Sequence, residues 1–196
     1  MLRTFLVLAL GFCMAFGALE RENIAPQMQQ NIDEVIKILQ DETLDKVTIS
    51  EQIFQRFDGD FDFKLMARLS LGPNQWNGLS SDDQERFTEH FIARLKRSFV
   101  QKLELYSDEI MVIKETKEIQ VGKATRIYLI TELIGKEKNY PITYKFYETK
   151  DNDWMIYDLD ILDVSLIQTY RSQFDGYLDS HSLDELITWL NGDEAL

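Results

Sequence analysis

The chain has 196 residues, of which 44% are hydrophobic, 28% charged and 12% aromatic. That is enough for one domain with a real core and short of two, and the apolar content excludes a disordered chain. Asp and Glu number 34 against 21 Lys and Arg, a formal net charge of −13, which argues against nucleic acid as a partner and against strong direct binding to anionic membranes, because both carry the same sign.

The chain opens with the layout of a secretory signal peptide over residues 1–17. Arg3 supplies the positive start, Phe5 to Phe16 is an uncharged apolar run, and Ala15-Phe16-Gly17 puts small residues where a signal peptidase reads. The run is too short to span a bilayer, which takes about 20 residues; an uncleaved anchor is the alternative. Cys13 follows a bulky Phe12, against the small residue that lipidation wants, and it is the single cysteine. The expected mature domain, 18–196, thus enters an oxidising compartment without disulfides, held by its core alone.

Residues 24–40 carry Ile24, Met28, Ile32, Val35, Ile36 and Leu39 at helical spacing. Asp41 is placed to cap a second helix running to about Phe57, which Asp58-Gly59-Asp60 breaks. Phe61 to Leu71 reads as a short apolar helix ended by Gly72-Pro73-Asn74. Ser80 or Ser81 then caps the longest helix, with Gln84 placed for a capping box with Ser81. Its apolar stripe is Phe87, Phe91, Leu95, Phe99, Leu103 and Tyr106.

From Glu109 the period changes to two, giving strands at about 109–116, 124–134, 140–149 and 153–163. Asp151-Asn152-Asp153 turns the last pair into a hairpin, whose Ile142, Tyr144 and Phe146 share one apolar face. Helices at about 165–178 and 182–191 close the chain, with Ser180-His181-Ser182 as a cap. The expected fold is α+β: an antiparallel meander of about four strands packed against N-terminal and C-terminal helices, with an apolar pocket between the layers.

Catalytic motifs are lacking. There is no HExxH, no CxxC, no Gly-rich phosphate loop and no nucleophile elbow, and the two histidines, His90 and His181, stand apart in the sequence. Asp58, Asp60 and Asp62 begin like a calcium loop, but Phe63, Met66 and Leu69 occupy positions that need a turn glycine and ligands. Asp158 and Asp160 share a strand face and read as solvated outward residues, one of them a possible partner of Arg171.

Three segments in order carry a resemblance. They are Phe61-Asp62-Phe63-Lys64-Leu65-Met66-Ala67-Arg68 running into Leu71-Gly72 and Trp76; Leu79-Ser80 with Gln84, Phe87, Phe91 and Leu95; and Trp154-Met155-Ile156-Tyr157-Asp158-Leu159 followed by Val164-Ser165-Leu166 and Tyr170-Arg171-Ser172-Gln173-Phe174. Over about residues 25–192 the chain resembles the toluene-tolerance / MlaC family of periplasmic lipid-transport proteins. One departure is Asp163, where the family usually has a glycine before the Val-Ser pair; Asp tolerates a positive φ less well than Gly but better than most residues.

The resemblance implies a soluble periplasmic carrier with no catalytic residue and no cofactor, its cargo a glycerophospholipid whose acyl tails sit in a deep pocket. It implies partners on both sides: an outer-membrane lipoprotein–porin complex, and an inner-membrane ABC transporter with its substrate-binding MCE component. Periodicity combined with the resemblance puts Phe63, Met66, Leu69, Phe91, Leu95, Phe99, Tyr144, Phe146, Tyr157, Leu159 and Ile161 in the pocket lining. Arg171 is a possible head-group contact, since a guanidinium pairs well with phosphate; an ion pair with a strand aspartate is the plainer alternative. Roughly 30 methylenes at ~0.8 kcal/mol each make release into water prohibitive, so cargo should pass by direct handoff in a docked complex. Three rivals stand beside this reading: a hopanoid or other amphiphile as cargo, an enzyme using a buried acid such as Asp158 or Asp62, and an interaction module with a solid core.

Overall fold

The computed structural model describes residues 19–103 and 109–192. The expected signal peptide, Cys13 and Tyr106 lie outside the described residues. A 3-10 turn (Arg21–Asn23) leads into helices α1 (Ile24–Leu39), α2 (Lys46–Phe57), α3 (Phe63–Leu71), α4 (Pro73–Gly78) and α5 (Ser81–Leu103). Strands β1 (Ile110–Val121), β2 (Ala124–Ile134), β3 (Asn139–Glu148), β4 (Trp154–Ile161) and β5 (Val164–Ser165) follow, then α6 (Leu166–Leu178) and α7 (Leu183–Asn191). The five strands form one antiparallel meander in chain order. The α+β expectation holds, with one short strand more than the sequence suggested.

The differences are local and have plain causes. Asp45, not Asp41, caps α2, its carboxylate accepting from Val47 N and Thr48 N; Asp41 closes a separate turn on Thr43. Ser80 accepts from Asp83 N, and Gln84 donates to the carbonyl of Trp76 at 3.0 Å, so no capping box forms there. The reciprocal box belongs to Ser182 and Glu185 at α7. The stretch after Leu71 is not loop: Pro73 starts α4, where its fixed φ and missing N–H cost nothing. β1 continues to Val121, because polar residues on a sheet edge hide its alternation. The β4–β5 turn takes two left-handed residues, Leu162 (φ 54°) and Asp163 (φ 62°), as a two-residue type I′ hairpin requires. Asp163 therefore does adopt the positive φ expected where the family usually places glycine.

Among the described residues the interior divides into three apolar clusters. The helical cluster gathers α3 to α7 around Phe87, Phe91, Tyr170 and Phe174, whose rings meet edge-on or stacked at 5.2–6.3 Å. The sheet cluster lays Ile24 and Met28 of α1 over Leu129, Tyr144, Phe146 and Ile156. A small third cluster holds Ile49 and Ile53 of α2 against α1, with Phe99 of α5 beside them. Phe57 packs against both the second and third clusters, and Phe61 against the first and second.

Candidate functional site

A sheet sends alternate side chains to opposite faces, so register decides what can reach the interior. Ile127, Leu129 and Thr131 of β2 pair with Phe146, Tyr144 and Ile142 of β3, and all face the helices. Arg126, Tyr128, Lys145 and Tyr147 face away. A bulge interrupts the β3–β4 register after Lys145, so that Phe146 meets Ile156 while Lys145 meets Asp158. Tyr157 is the extra residue and turns outward, where its ring lies 6.0 Å from Tyr147 and 5.7 Å from the Arg126 guanidinium. Simple alternation had placed Tyr157 with Leu159 inside; the bulge overturns that.

Ten further residues were expected to line a pocket. Met66 and Phe91 are buried in the helical cluster, with Phe63, Leu69 and Leu95 half-buried at its margin. Tyr144 and Phe146 are buried in the sheet cluster and Leu159 is half-buried against it. Phe99 belongs to the third cluster and meets Phe54 edge-on at 5.5 Å. Ile161, opposite Ile142, is 44% exposed at the end of β4. The expected lining is thus spread over three packing units. Met66, Phe91 and Phe146 are fully enclosed by protein, whereas Leu95, Phe99 and Leu159 have free surface left.

That contrast is clearest along α5. Phe87 and Phe91 are completely buried, while Leu95 and Phe99, next on the same stripe, are half-buried. The helix runs out of a closed core into a region where its apolar face is incompletely covered. The sheet shows the same on its helix-facing side, where Met111, Ile113, Ile142 and Leu159 pack only partly. Met111 and Ile113 were not among the expected lining residues; their signal is alternation along β1, diluted by the charges that follow. Tyr144 reaches from β3 to this end of the sheet and donates its hydroxyl to the Met111 sulfur at 3.6 Å. Burial pushes the Tyr144 phenol up to about 12, so it stays a neutral donor.

Beside this region a cleft of about 690 Å³ opens between α2 and α5, lined by Val47, Phe54 and Val100 with Glu51, Lys96 and Arg97 among its polar wall residues. Val47 is 58% exposed there. A shallower depression of about 310 Å³ lies between the N-terminal turn and β1, around Arg21, Thr116 and Glu118.

The charged residues singled out from sequence are committed elsewhere. Asp158 is not a solvated outward residue: it is 5% exposed. It accepts from Lys145 Nζ at 3.0 Å, Ser165 Oγ at 2.7 Å and Ile167 N at 3.1 Å, tying the sheet to the start of α6. Burial works against the Lys145 charge, but Asp160 and Asp158 outweigh it and hold the ammonium above its ordinary range. Arg171 pairs with Asp175 on its own helix at 3.0 Å instead of a strand aspartate, and its guanidinium lies against Gly72 and the Leu69 carbonyl. Asp62 caps α3 and accepts from the Tyr147 hydroxyl. Asp60 accepts from Asn31 at 2.6 Å, so the three acids of the apparent calcium loop diverge. Among the described residues no group of three or more His, Cys, Asp or Glu could hold a metal ion, and no helix is long and apolar enough to cross a membrane.

The family model described as MlaC protein matches residues 29–192. A curated relative from Haemophilus influenzae, the intermembrane phospholipid transport system binding protein MlaC, is 26% identical over 58% of this chain; the chain spans about half the length of that relative, 53%. Among solved structures, a phospholipid-binding protein from Ralstonia solanacearum, in complex with a phospholipid, shares the fold with a TM-score of 0.70 at 17% identity, over 85% of this chain and 93% of that one.

Proposed function

The chain belongs to the MlaC family, and from that premise we propose that it is a periplasmic carrier of glycerophospholipid, secreted through a cleaved signal peptide. It holds acyl tails between the sheet and helices α2 and α5. The observation that carries this reading is the division of the interior. The heart of the helical cluster, Met66, Phe87 and Phe91, is fully buried, whereas Leu95 at its margin and Phe99, Met111, Ile113, Ile142 and Leu159 beyond it keep unburied apolar surface. An acyl tail laid against them would complete their contacts. The names of the matched relative and of the solved structure, one for phospholipid transport and one for a bound phospholipid, agree with this cargo.

The carrier passes lipid between an outer-membrane lipoprotein–porin complex and an inner-membrane ABC transporter with its MCE component. It needs no cofactor and performs no bond-breaking step. Bilayer and pocket are both apolar, so transfer inside a docked complex is nearly balanced, while exposure of two tails to water costs on the order of 25 kcal/mol. The acidic excess of the chain, net −13 over all 196 residues, keeps the carrier off anionic membranes and leaves docking to protein receptors.

The test is uptake from donor vesicles containing phosphatidylethanolamine and phosphatidylglycerol, followed by gel filtration and phosphorus analysis of the protein peak. Lipid phosphorus should travel with the protein and persist through dialysis. A protein peak free of phosphorus, or steady loss on dialysis, would overturn the reading.

A further inference from the structure

Strand geometry sets how far an acyl tail must reach along the sheet. The incompletely packed stretch of its inner face runs from Ile142 and Leu159 to Tyr144, two residues along β3 or roughly 7 Å. A lipid tail spans half a hydrocarbon core, about 15 Å. A tail that enters there must therefore continue to the level of Phe146, four residues and roughly 13 Å from Ile142. That deeper stretch, Leu129, Phe146 and Ile156, is completely buried, and over it lie Ile24 and Met28 of α1.

Ile24 and Met28 stand four residues apart on one face of α1. Among the described residues they are the only helix side chains fully buried in the sheet cluster. The other end of the helix packs elsewhere, with Val35, Ile38 and Leu39 against Ile49 and Ile53 of α2. So α1 has two attachments, its first turns on the sheet and its last on α2. Beyond the apolar contact, the holds at the first attachment are weak ones. Arg21 pairs with Glu118 of β1 where both side chains are well exposed, the kind of ion pair that contributes little. Leu19 donates its N–H to the Asp153 carboxylate and accepts from Trp154 N at 3.1 Å. Between the two attachments, the buried Asn31 donates to Asp60 of the α2–α3 connection at 2.6 Å, a fixed point about which the first turns can lift.

We propose that the start of α1 is a built-in stand-in for the cargo. In the lipid-free protein Ile24 and Met28 occupy the deep end of the acyl-tail site on Leu129, Tyr144 and Phe146, and an incoming tail takes that surface by lifting the first turns of α1 away. The inference rests on the carrier reading above and adds to it the second occupant of the tail site and the element that moves. Exchanging two side chains for a tail replaces one apolar cover with another, so the sheet face meets water in neither state. The displaced turns are too short to hold as an isolated helix and fray, while Val35 to Leu39 stay on α2.

The experiment uses a Cys13→Ser chain with Arg21→Cys and Glu118→Cys, cross-linked by a short bis-methanethiosulfonate so that the start of α1 stays on β1, and the same protein after release by dithiothreitol. Both are exposed to vesicles of phosphatidylethanolamine and phosphatidylglycerol, re-isolated, and read by native mass spectrometry for bound lipid and by hydrogen exchange. The cross-linked form should load about tenfold more slowly or worse, because the tether removes the state that accepts the tail. In the released form, the amides of residues 28–31 and of Trp154, whose acceptor is Leu19, should lose protection on loading while those of α5 and α6 keep it. Met28→Ala weakens the stand-in and leaves the sheet intact, so it should raise the affinity for vesicle lipid roughly tenfold, the opposite sign to truncating a residue that only lines the site. Equal loading of cross-linked and released protein, α1 amides as protected with bound lipid as without it, or a lowered affinity in Met28→Ala would each overturn the displacement and leave the carrier standing. Released protein that takes up no lipid would overturn both.

Discussion

The two ends of α5 sit in different kinds of interior. At its start, Phe87 and Phe91 are fully buried among Tyr170, Phe174, Met66 and Leu186, in a cluster to which α3, α6 and α7 contribute and which Trp76 of α4 completes. Toward its far end, Leu95 and Phe99 continue the same stripe, yet each keeps exposed surface, as do the sheet residues Met111, Ile142 and Leu159. The same residue types at the same spacing thus give packing in one half and reserve surface in the other. The difference is set by what lies opposite: four other helices in the first case, the small α1–α2 cluster in the second. A carrier needs both, a scaffold that stays folded without its cargo and a region that is complete only with it.

Substitutions can break that comparison, and the largest expected effect is in the closed half. Phe91→Ala should destabilise the lipid-free protein by about 3–5 kcal/mol, read from urea unfolding, because its cavity is walled by rigid helices. Asp158→Ala removes the strut between sheet and α6, leaves Lys145 with Asp160 alone, and strips acceptors from Ser165 Oγ and Ile167 N. A loss of about 3 kcal/mol is expected in the same assay. Gly72→Ala should cost about 1–3 kcal/mol, since φ +85° with ψ 155° admits essentially only glycine. Combining it with Arg171→Ala clears the side chain that an added Cβ would strike, and most of the cost should remain if backbone strain dominates.

In the open half the same chemistry should move cargo more than stability. Phe99→Ala is expected to cost only about 1–2 kcal/mol in the lipid-free protein, while clearly lowering lipid retained after vesicle exposure. Equal stability losses for Phe91→Ala and Phe99→Ala would erase the distinction between the halves. The smallest effect concerns Asp60, whose carboxyl is held above its ordinary range by burial, against the pull of Arg56 and Asn31. The folded chain then binds this proton more readily than the unfolded chain, so its contribution to stability falls as pH rises from the ordinary carboxylate value through the raised one. Asp60→Asn should therefore gain stability relative to the parent as pH climbs through the acid range, and hold that gain at neutrality.

Much of this was legible in the sequence, and what was not has identifiable causes. Helical spacing located α1, α3, α5, α6 and α7, and alternation located the sheet, because hydrophobic period reports directly on which face is buried. Capping was misplaced at α2, where Asp41 and Asp45 are both competent and only the turn at Thr43 decides between them. Tyr157 was assigned to the wrong face because a bulge adds one residue without changing composition. Asp158 looks like a surface acid in any one-dimensional reading; its burial depends on Lys145, thirteen residues earlier, and on Ser165 of another strand. The cleft residues Lys96 and Arg97 were not legible at all, since they are ordinary helix-surface cations until α2 is placed beside them.

The measurement that bears most directly on the central claim is native mass spectrometry of the secreted protein, purified from a periplasmic extract without detergent, with lipid extraction in parallel. The account predicts a protein mass raised by one two-tailed phospholipid that survives purification, and a Phe99→Ala form in which that species is depleted while the folded protein remains. A clean lipid-free mass, with no uptake from phospholipid vesicles or from a loaded partner complex, would contradict it and leave a folded module whose open half awaits some other occupant.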